Sequence, residues 1–567
     1  MSEISLNGIP SSSGISIGKA VILDITPSNI ASVRIQKKEI PNELILFINN
    51  INSTIKSFEK LIKELSEKDE IAKTILESNI MIVSDEFLKE AIIESIEQGY
   101  SAAFSISKEF EKQEELLLKT DDKILKEKAV ELKNIKIKLL EKFNTKKAQD
   151  SFDESSIIIS KSVTTSDLFR FRKYNIAGFI TEDGGLTSHA SILSRSFDIP
   201  SIVGAKDICQ KVKPNDEIVI NGFDGKIIIN PNIHTKKDIL NKISIITKHK
   251  KDLGKLVNLK TKTKDNREIT LSANIEIKED VGKAILSGAE AIGLVRTENT
   301  FNLNNDLYDE KAQYEEYKAI LEAAYPKNVT FRLFDFGSDK QIDDTHSIES
   351  NPALGLRGIR FLIQNPDILK IQLRALLKAG VNKNLQIMIP MVTTLSEVNF
   401  VKNSLNEISN KLKKEKEEHV SNCPLGIMIE TPASVLLSDS FAKNIDFFSI
   451  GTNDLIQYLL ATDRVNEDVS KYYDIFSPAI SKAIFIVVNN AKKHNVSVGL
   501  CGELAGDLRF TKLLIGLGIK ELSATSSKLL EVKNQVLANT YTDAINFADQ
   551  ILNIDDSSEI EKLLSNL

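Results

Sequence analysis

Cysteine is scarce in this chain. Cys209, Cys423 and Cys501 are the only three in 567 residues, scattered and with no CxxC pair. That argues against a disulfide framework or a cysteine-based zinc site, and the expected compartment is a reducing cytoplasm. Long apolar runs are also missing. None approaches the roughly 18 residues that a membrane span requires. The first ten residues, MSEISLNGIP, lack the basic-then-apolar order of a secretory signal. Nor does one sign of charge dominate: 73 basic and 79 acidic residues leave a net charge of -6, which argues against non-specific nucleic-acid binding. With 42% hydrophobic residues over this length, the chain is long enough for about two to four domains with their own cores.

Proline and glycine are absent where they would be most disruptive to helices. No proline lies between Pro41 and Pro200, and from Pro41 to about residue 147 the only glycine is Gly99. This stretch is rich in Lys, Glu, Leu and Ile. Leu44, Ile48, Ile51, Ile55, Phe58 and Ile62 recur in steps of three and four, as on one face of a helix. The segments on either side differ. SGISIGKAVIL at 13–23 reads as a strand. From residue 155 come SSIIIS, IAGFIT and DEIVINGFDGKIIINP, short β runs with a hairpin turn at Asp224-Gly225. The expected organisation is an α/β domain of residues 1–31 plus 148–230 with a helical domain, 32–147, inserted into it. Residues 231–260 are expected to form a linker helix, and 261–567 a further domain.

That last region contains eight apolar runs: ITLSANI, AIGLVRT, VTFRLFDF, LQIMIPMV, LGIMIET, DFFSIGT, VSVGLCG and KELSATS. Each is followed by enough chain for a helix. Eight β/α units over this length predict a (β/α)8 TIM barrel, whose chemistry sits at the carboxyl ends of its strands. Those ends carry Arg296, Asp335, Glu430, Asn453, Asp454 and Cys501. Arg296, Arg332, Arg357 and Arg464 stand near strand ends or in the following loops, and guanidinium forks match phosphate and carboxylate oxygens in pairs. Glu430 and Asp454 are hard oxygen ligands suited to a Mg2+ shared with a substrate phosphate. The set reads as a binder for a small, phosphorylated acid with one divalent ion. Cys501 is either a small buried residue or, in an electropositive pocket, an acid or nucleophile. Met388 and Met391 are expected to pack the barrel.

Histidine is rare as well, six in all, yet one stands in GGLTSHASI at 184–192, between a predicted strand and a helical pattern. Thr187 or Ser188 could cap the helix, placing His189 in its first turn. Free N–H groups and the positive dipole end there favour anions and disfavour the imidazolium. A neutral imidazole in such a place suits taking up and giving away phosphate. Alone, the motif is equally a capped surface helix that happens to hold a histidine.

Together, GGLTSHASI, GLVRTE, DFGSDK, NPALGLRGIR, IETPAS, FFSIGTNDLIQY and CGELAG, in this order, resemble the enzyme I family of the bacterial phosphoenolpyruvate:sugar phosphotransferase system. The resemblance covers essentially the whole chain. It implies phosphorylation of His189 on Nε2 by phosphoenolpyruvate. Arg296, Arg332, Asn453 and Arg464 would hold the substrate, with Arg357 beside the phosphoryl group. Glu430 and Asp454 would carry Mg2+, and Cys501 would protonate the enolpyruvate. The helical insertion would bind the phosphocarrier HPr, the barrels would pair as a homodimer, and the phosphoryl group would drive sugar uptake. The histidine domain would swivel between its two partners.

The chain departs from the family pattern at Leu186, where Arg or Gln is common, at Asn299-Thr300-Phe301, and at Ser338. Thr164 stands where a threonine often supports the phosphohistidine ring, but Thr165 replaces the proline that usually follows. Two other readings are open. A pyruvate phosphate dikinase or phosphoenolpyruvate synthase would share the histidine domain and barrel, but needs a large nucleotide-binding domain before the histidine. A degenerate, non-catalytic HPr binder would fit the departures but not the intact His189, Glu430, Asp454 and Cys501.

Overall fold

The computed structural model describes residues 3–23, 33–64, 70–119, 123–140, 143, 152–185, 189–197, 199–299, 306–337, 351–464, 466 and 468–566. The chain forms two compact units, Met1–Lys248 and His249–Leu567.

The first unit is built on a mixed sheet of eight strands: Ile4–Asn7 (β1), Ile9–Ser12 (β2), Ile15–Leu23 (β3), Ser156–Ser160 (β4), Gly178–Thr181 (β5), Ser201–Val203 (β6), Glu217–Asn221 (β7) and Lys226–Ile229 (β8), in the order β1-β8-β7-β3-β4-β5-β6-β2. β3 to β6 run parallel, and β7 and β8 form the hairpin expected at Asp224-Gly225, with Asn221 opposite Lys226. Side chains alternate across a strand, so an isoleucine run buried on both faces feeds two cores. Ile157 and Ile159 pack in one cluster with Ile180, Ile202 and Ile220. Ile158 packs in the other with Leu168, Phe171, Phe179 and Leu193.

Among the described residues, five α-helices lie between β3 and β4, Ile40–Glu64, Glu70–Ser84, Glu86–Glu97, Ala102–Leu118 and Lys123–Leu140, with a core of their own around Phe47, Phe58, Leu76, Ile96, Ile106 and Leu139. The expected stripe of the first helix packs into that core at Leu44, Ile51, Ile55, Phe58 and Ile62, and departs from it at one position. Phe47 is 1% exposed, while Ile48, one residue on, is 49% exposed. Steps of three and four are equally compatible with a helical face, and the bulkier ring takes the inward position. A helix follows β8 over Ile233–Gly254, and its Ile239 packs on Val219 and Ile228 of the hairpin.

The second unit is the expected barrel. Thr270–Ile275 (β9), Ala291–Arg296 (β10), Val329–Arg332 (β11), Leu385–Ile389 (β12), Leu425–Ile429 (β13), Phe447–Ile450 (β14), Ser497–Leu500 (β15) and Glu521–Ala524 (β16) close in sequence order, every pair parallel. They are the eight apolar runs. Parallel strands covered by helices outside and packed inside have no wet face, which is why β13 is buried at all five positions. Register then sets the mouth. Arg296 and Arg332 are direct partners across β10 and β11. Ile429 pairs with Ile450, and Ile450 with Leu500, so Glu430, Gly451 and Cys501, each the next residue, leave the barrel at one level.

Candidate active site

The barrel mouth holds a cavity of about 440 Å³. It brings together the eight residues of this unit expected to have a site role, Arg296, Arg332, Arg357, Glu430, Asn453, Asp454, Arg464 and Cys501, and with them Asp335. Short-range sequence rules aim several of them. After Glu430, Thr431 caps the helix Pro432–Leu436, accepting from Ser434 N at 3.1 Å, and its hydroxyl donates to Val392 O at 2.9 Å. The strand therefore ends abruptly and the glutamate stays over the barrel. Asn453 and Asp454 lie in the first turn of Thr452–Leu459, where the helix dipole favours a carboxylate. Asn453 Oδ1 accepts from Glu503 N at 2.9 Å and its Nδ2 donates to Glu503 Oε1 at 3.2 Å, which orients the amide.

The inner part of the cavity is a chain of buried charges. Arg332 pairs with Glu298 through Nη2 and with Asp335 Oδ2 through Nη1 at 3.2 Å. Arg357 donates from Nε to Asp335 Oδ1 at 3.2 Å and from Nη2 to Asp335 Oδ2 at 2.8 Å. Its Nη1 reaches Asp454 Oδ1 at 3.2 Å and the Tyr458 hydroxyl at 3.2 Å. Arg296 and Arg464 are the more open arginines: the Arg296 side chain is 41% exposed, 3.5 Å from Glu276, and Arg464 is exposed.

Glu298, Asp335, Glu430 and Asp454 are all buried, as are Arg332 and Arg357. Four carboxylates against two guanidiniums leave this buried set two formal negative charges in excess, a costly arrangement in a low dielectric. Glu430 shows the strain: burial, then the neighbouring Asp454 and Asp335 carboxylates, push its pKa well above the ordinary carboxylate range. Its Oε1 accepts from Met391 N, whereas its Oε2 has no hydrogen-bond partner among the described residues. A Cβ at Gly451 would sit 3.0 Å from that oxygen, so the glycine keeps the space open.

These features fit a divalent cation at Glu430 and Asp454. No cluster of three or more His, Cys, Asp or Glu able to hold a metal occurs among the described residues. Two carboxylates with substrate and water completing the shell is the pattern of Mg2+, which is seldom caged by protein alone. Cys501 faces the same cavity from an apolar floor shared with Leu294, Met388 and Met428. Burial, more than any neighbour, pushes its thiol up to about 11, and Sγ donates to Ile450 O at 3.7 Å. Burial therefore favours the thiol over the thiolate at neutral pH.

His189 begins the helix His189–Ser196 in the other unit; its side chain, and residues Leu186, Thr187 and Ser188, lie outside the described residues. Gly184 has φ +117°, a conformation that favours glycine, and a Cβ at Gly185 would meet nothing within 4 Å. Ser191 Oγ donates to Gly185 O at 2.7 Å, tying the loop to the first helical turn. Thr164 caps the helix Thr165–Lys173, and its hydroxyl donates to Asp167 at 2.6 Å. Thr165 is buried in that first turn. Ser338 and the Asn299 side chain lie outside the described residues.

Several site residues escaped the sequence reading. Glu298, Glu503 and Tyr458 enter only through partners remote in sequence, and Asp335 was read as a strand-end residue without a role. Met391 was read as packing. Its side chain is buried, but its backbone, at φ +57°, also supplies the N–H that holds Glu430. A lone methionine gives no signal of that.

A parallel barrel with this mouth and a separate unit carrying a histidine at a helix start defines a class, the enzymes that use phosphoenolpyruvate, and three family models match in order. They are the PEP-utilising enzyme N-terminal model over 7–128, the mobile-domain model over 152–225 and the PEP-binding-domain model over 250–541. The chain is similar to the phosphoenolpyruvate-protein phosphotransferase of Buchnera aphidicola subsp. Schizaphis graminum, with 36% identity over 99% of both chains. Those of Priestia megaterium (33%, over 98% of this chain and 97% of that one) and Bacillus subtilis (33%, over 98% of both) are similar in the same way. The chain belongs to the phosphoenolpyruvate-protein phosphotransferase family.

Proposed function

We propose that the chain takes the phosphoryl group of phosphoenolpyruvate onto His189, releases pyruvate, and passes the group to a histidine of HPr, feeding sugar uptake. The observation that carries the barrel half of this reading is four buried carboxyl groups against two buried guanidiniums, with a Glu430 oxygen that has no hydrogen-bond partner among the described residues, rimmed by the more open Arg296 and Arg464. Glu430 and Asp454 would hold Mg2+, which supplies charge neutralisation of the phosphoryl oxygens. Arg296, Arg464 and the Asn453 amide bind the carboxylate and phosphate of the substrate, and Arg332 and Arg357 orient its phosphoryl end.

In the transfer, His189 Nε2 bonds to phosphorus as the bond from phosphorus to the enol oxygen breaks. The enolate carbon then takes the proton of Cys501, giving pyruvate, and the thiolate recovers a proton from solvent. A thiol held protonated by burial is suited to that step. His189 has to reach the barrel mouth in one half-reaction and the acceptor in the other.

For HPr, the supporting feature is the helical insertion. Met81 and Phe87 are 73% and 85% exposed, flank the turn at Asp85, and lie among Glu77, Glu86 and Glu90, an apolar contact with an acidic rim. For a homodimer through the barrel, the support is exposed Leu436, Leu437, Phe485 and Ile486 at the packed helices Pro432–Leu436 and Pro478–Lys493. Three free cysteines accord with a cytoplasmic place of work, and no helix among the described residues is long and apolar enough to cross a membrane. The test is incubation with phosphate-labelled phosphoenolpyruvate and Mg2+, with and without HPr. Label on His189 that moves to HPr is expected. A protein that acquires no label is not a phosphotransferase.

A further inference from the structure

Asp335 is buried at 6% exposure, three residues beyond Arg332, and among the described residues it is the carboxylate that pairs with both inner arginines. Arg357 meets it with the two-pronged edge of the guanidinium, Nε on Oδ1 and Nη2 on Oδ2. A guanidinium is planar and rigid, so fixing that edge fixes the direction of the remaining nitrogen. That nitrogen, Nη1, is the one on Asp454 Oδ1 and Tyr458 Oη. Tyr458 in turn donates to Ala353 O, which anchors the far side. Four of the five Arg357 N–H groups are thereby committed to protein partners. The line from Asp335 through Arg357 to Asp454 fixes the carboxylate at Oδ1, the oxygen that Nη1 engages.

We propose that Asp335 is a positioning residue which, through Arg357, holds Asp454 in the orientation that receives the divalent cation. This rests on the reading of Asp454 and Glu430 as cation ligands. Asp335 does not touch cation or substrate. Its contribution is the geometry of a carboxylate two contacts away, the kind of outer support whose loss typically weakens metal binding by about 10–100-fold.

The test uses the full chain and Mn2+ as probe, with binding read by electron paramagnetic resonance in the absence of phosphoenolpyruvate. Asp335→Asn keeps the size of the side chain but replaces one acceptor oxygen with a donor, breaking the fork. Arg357→Lys keeps the charge and breaks the fork from the other side, so either variant suffices if the other does not fold. Each is expected to weaken Mn2+ by about 10–100-fold. The double variant should weaken it no further than the worse single, because the two act as one unit. Labelling of His189 by Asp335→Asn should recover when Mg2+ is raised in proportion. Parent-like Mn2+ affinity in Asp335→Asn, or losses that add in the double variant, would overturn the proposal. If Asp454→Ala abolishes Mn2+ binding while Asp335→Asn leaves it intact, the positioning role fails and the ligand assignment stands. If the parent itself binds no Mn2+, the ligand assignment fails, and the positioning role with it.

Discussion

The two units offer the proposed phosphate chemistry different settings. At the barrel mouth six charged side chains are buried together and locked by fork-to-carboxylate pairs, and the glycine beside Glu430 keeps a space open. In the amino-terminal unit the histidine opens a helix behind Gly184 and Gly185, the second of which faces open space. A helix end supplies a field worth about 0.3–1 kcal/mol to a charge where such an end is exposed. The difference follows from the tasks. A site that strips a phosphoryl group from its donor gains from fixed charges in a dry cavity, where they do not reorganise as the reaction proceeds. A carrier has to give the group away again, so a deep, strongly binding cradle would work against it.

The comparison breaks first at Asp454. Asp454→Ala removes a proposed cation ligand and the Nη1 partner of Arg357, and labelling of His189 from phosphoenolpyruvate should fall by about 10²–10³-fold or more, even at saturating Mg2+. Exchange of His189 with phospho-HPr should be untouched. A normal labelling rate would take Asp454 out of the barrel chemistry. Next is Cys501→Ser, which should still let His189 gain label while pyruvate appears about 10²-fold or more slowly. Equal pyruvate rates would make Cys501 a packing residue of the floor.

A smaller effect separates the units by pH. Burial raises the folded Glu430 above the ordinary carboxylate range, so the empty site holds a proton there that a cation must displace. Cation affinity should therefore rise with pH, by at most about tenfold per unit for one displaced proton, and level off once Glu430 is ionised. The folding linkage has the same sign. A raised carboxylate pKa favours the folded state only while the group is protonated, so Glu430 costs the cation-free protein stability as pH rises through that range, and bound cation relieves the cost. Calorimetric Mg2+ titrations across neutral pH test this, and Glu430→Gln should show weak, pH-independent binding.

How much was legible follows the same division. The barrel was readable because its strands are short, largely apolar runs, and Glu430 and Cys501 stand directly after two of them, with Asp454 in the helix that follows a third. The pairings between them were not, because Asp335 meets Arg357, and Arg357 meets Asp454, only when the barrel closes over 22 and 97 residues of chain. The Met391 contact to Glu430 was hidden for another reason, since it is made by backbone at positive φ. In the helical insertion the pattern gave the helix and its buried face, except that Phe47 takes the inward place expected of Ile48. That yields the smallest expected effect: Ile48→Ala should change stability by no more than about 0.5 kcal/mol, whereas Phe47→Ala should cost about 3–5 kcal/mol. Chemical denaturation of the two variants decides between them.

The central claim is that phosphoryl extraction and phosphoryl carriage belong to different units, and it is tested most directly on a fragment of residues 1–248, the first compact unit. It retains His189 and the helical insertion and lacks Arg296, Arg332, Glu430 and Asp454. With labelled phospho-HPr the fragment should acquire label on His189, and His189→Ala should abolish that exchange without unfolding it. With labelled phosphoenolpyruvate and Mg2+ it should acquire none. Direct labelling by phosphoenolpyruvate, or a folded fragment inert toward phospho-HPr, would contradict the account.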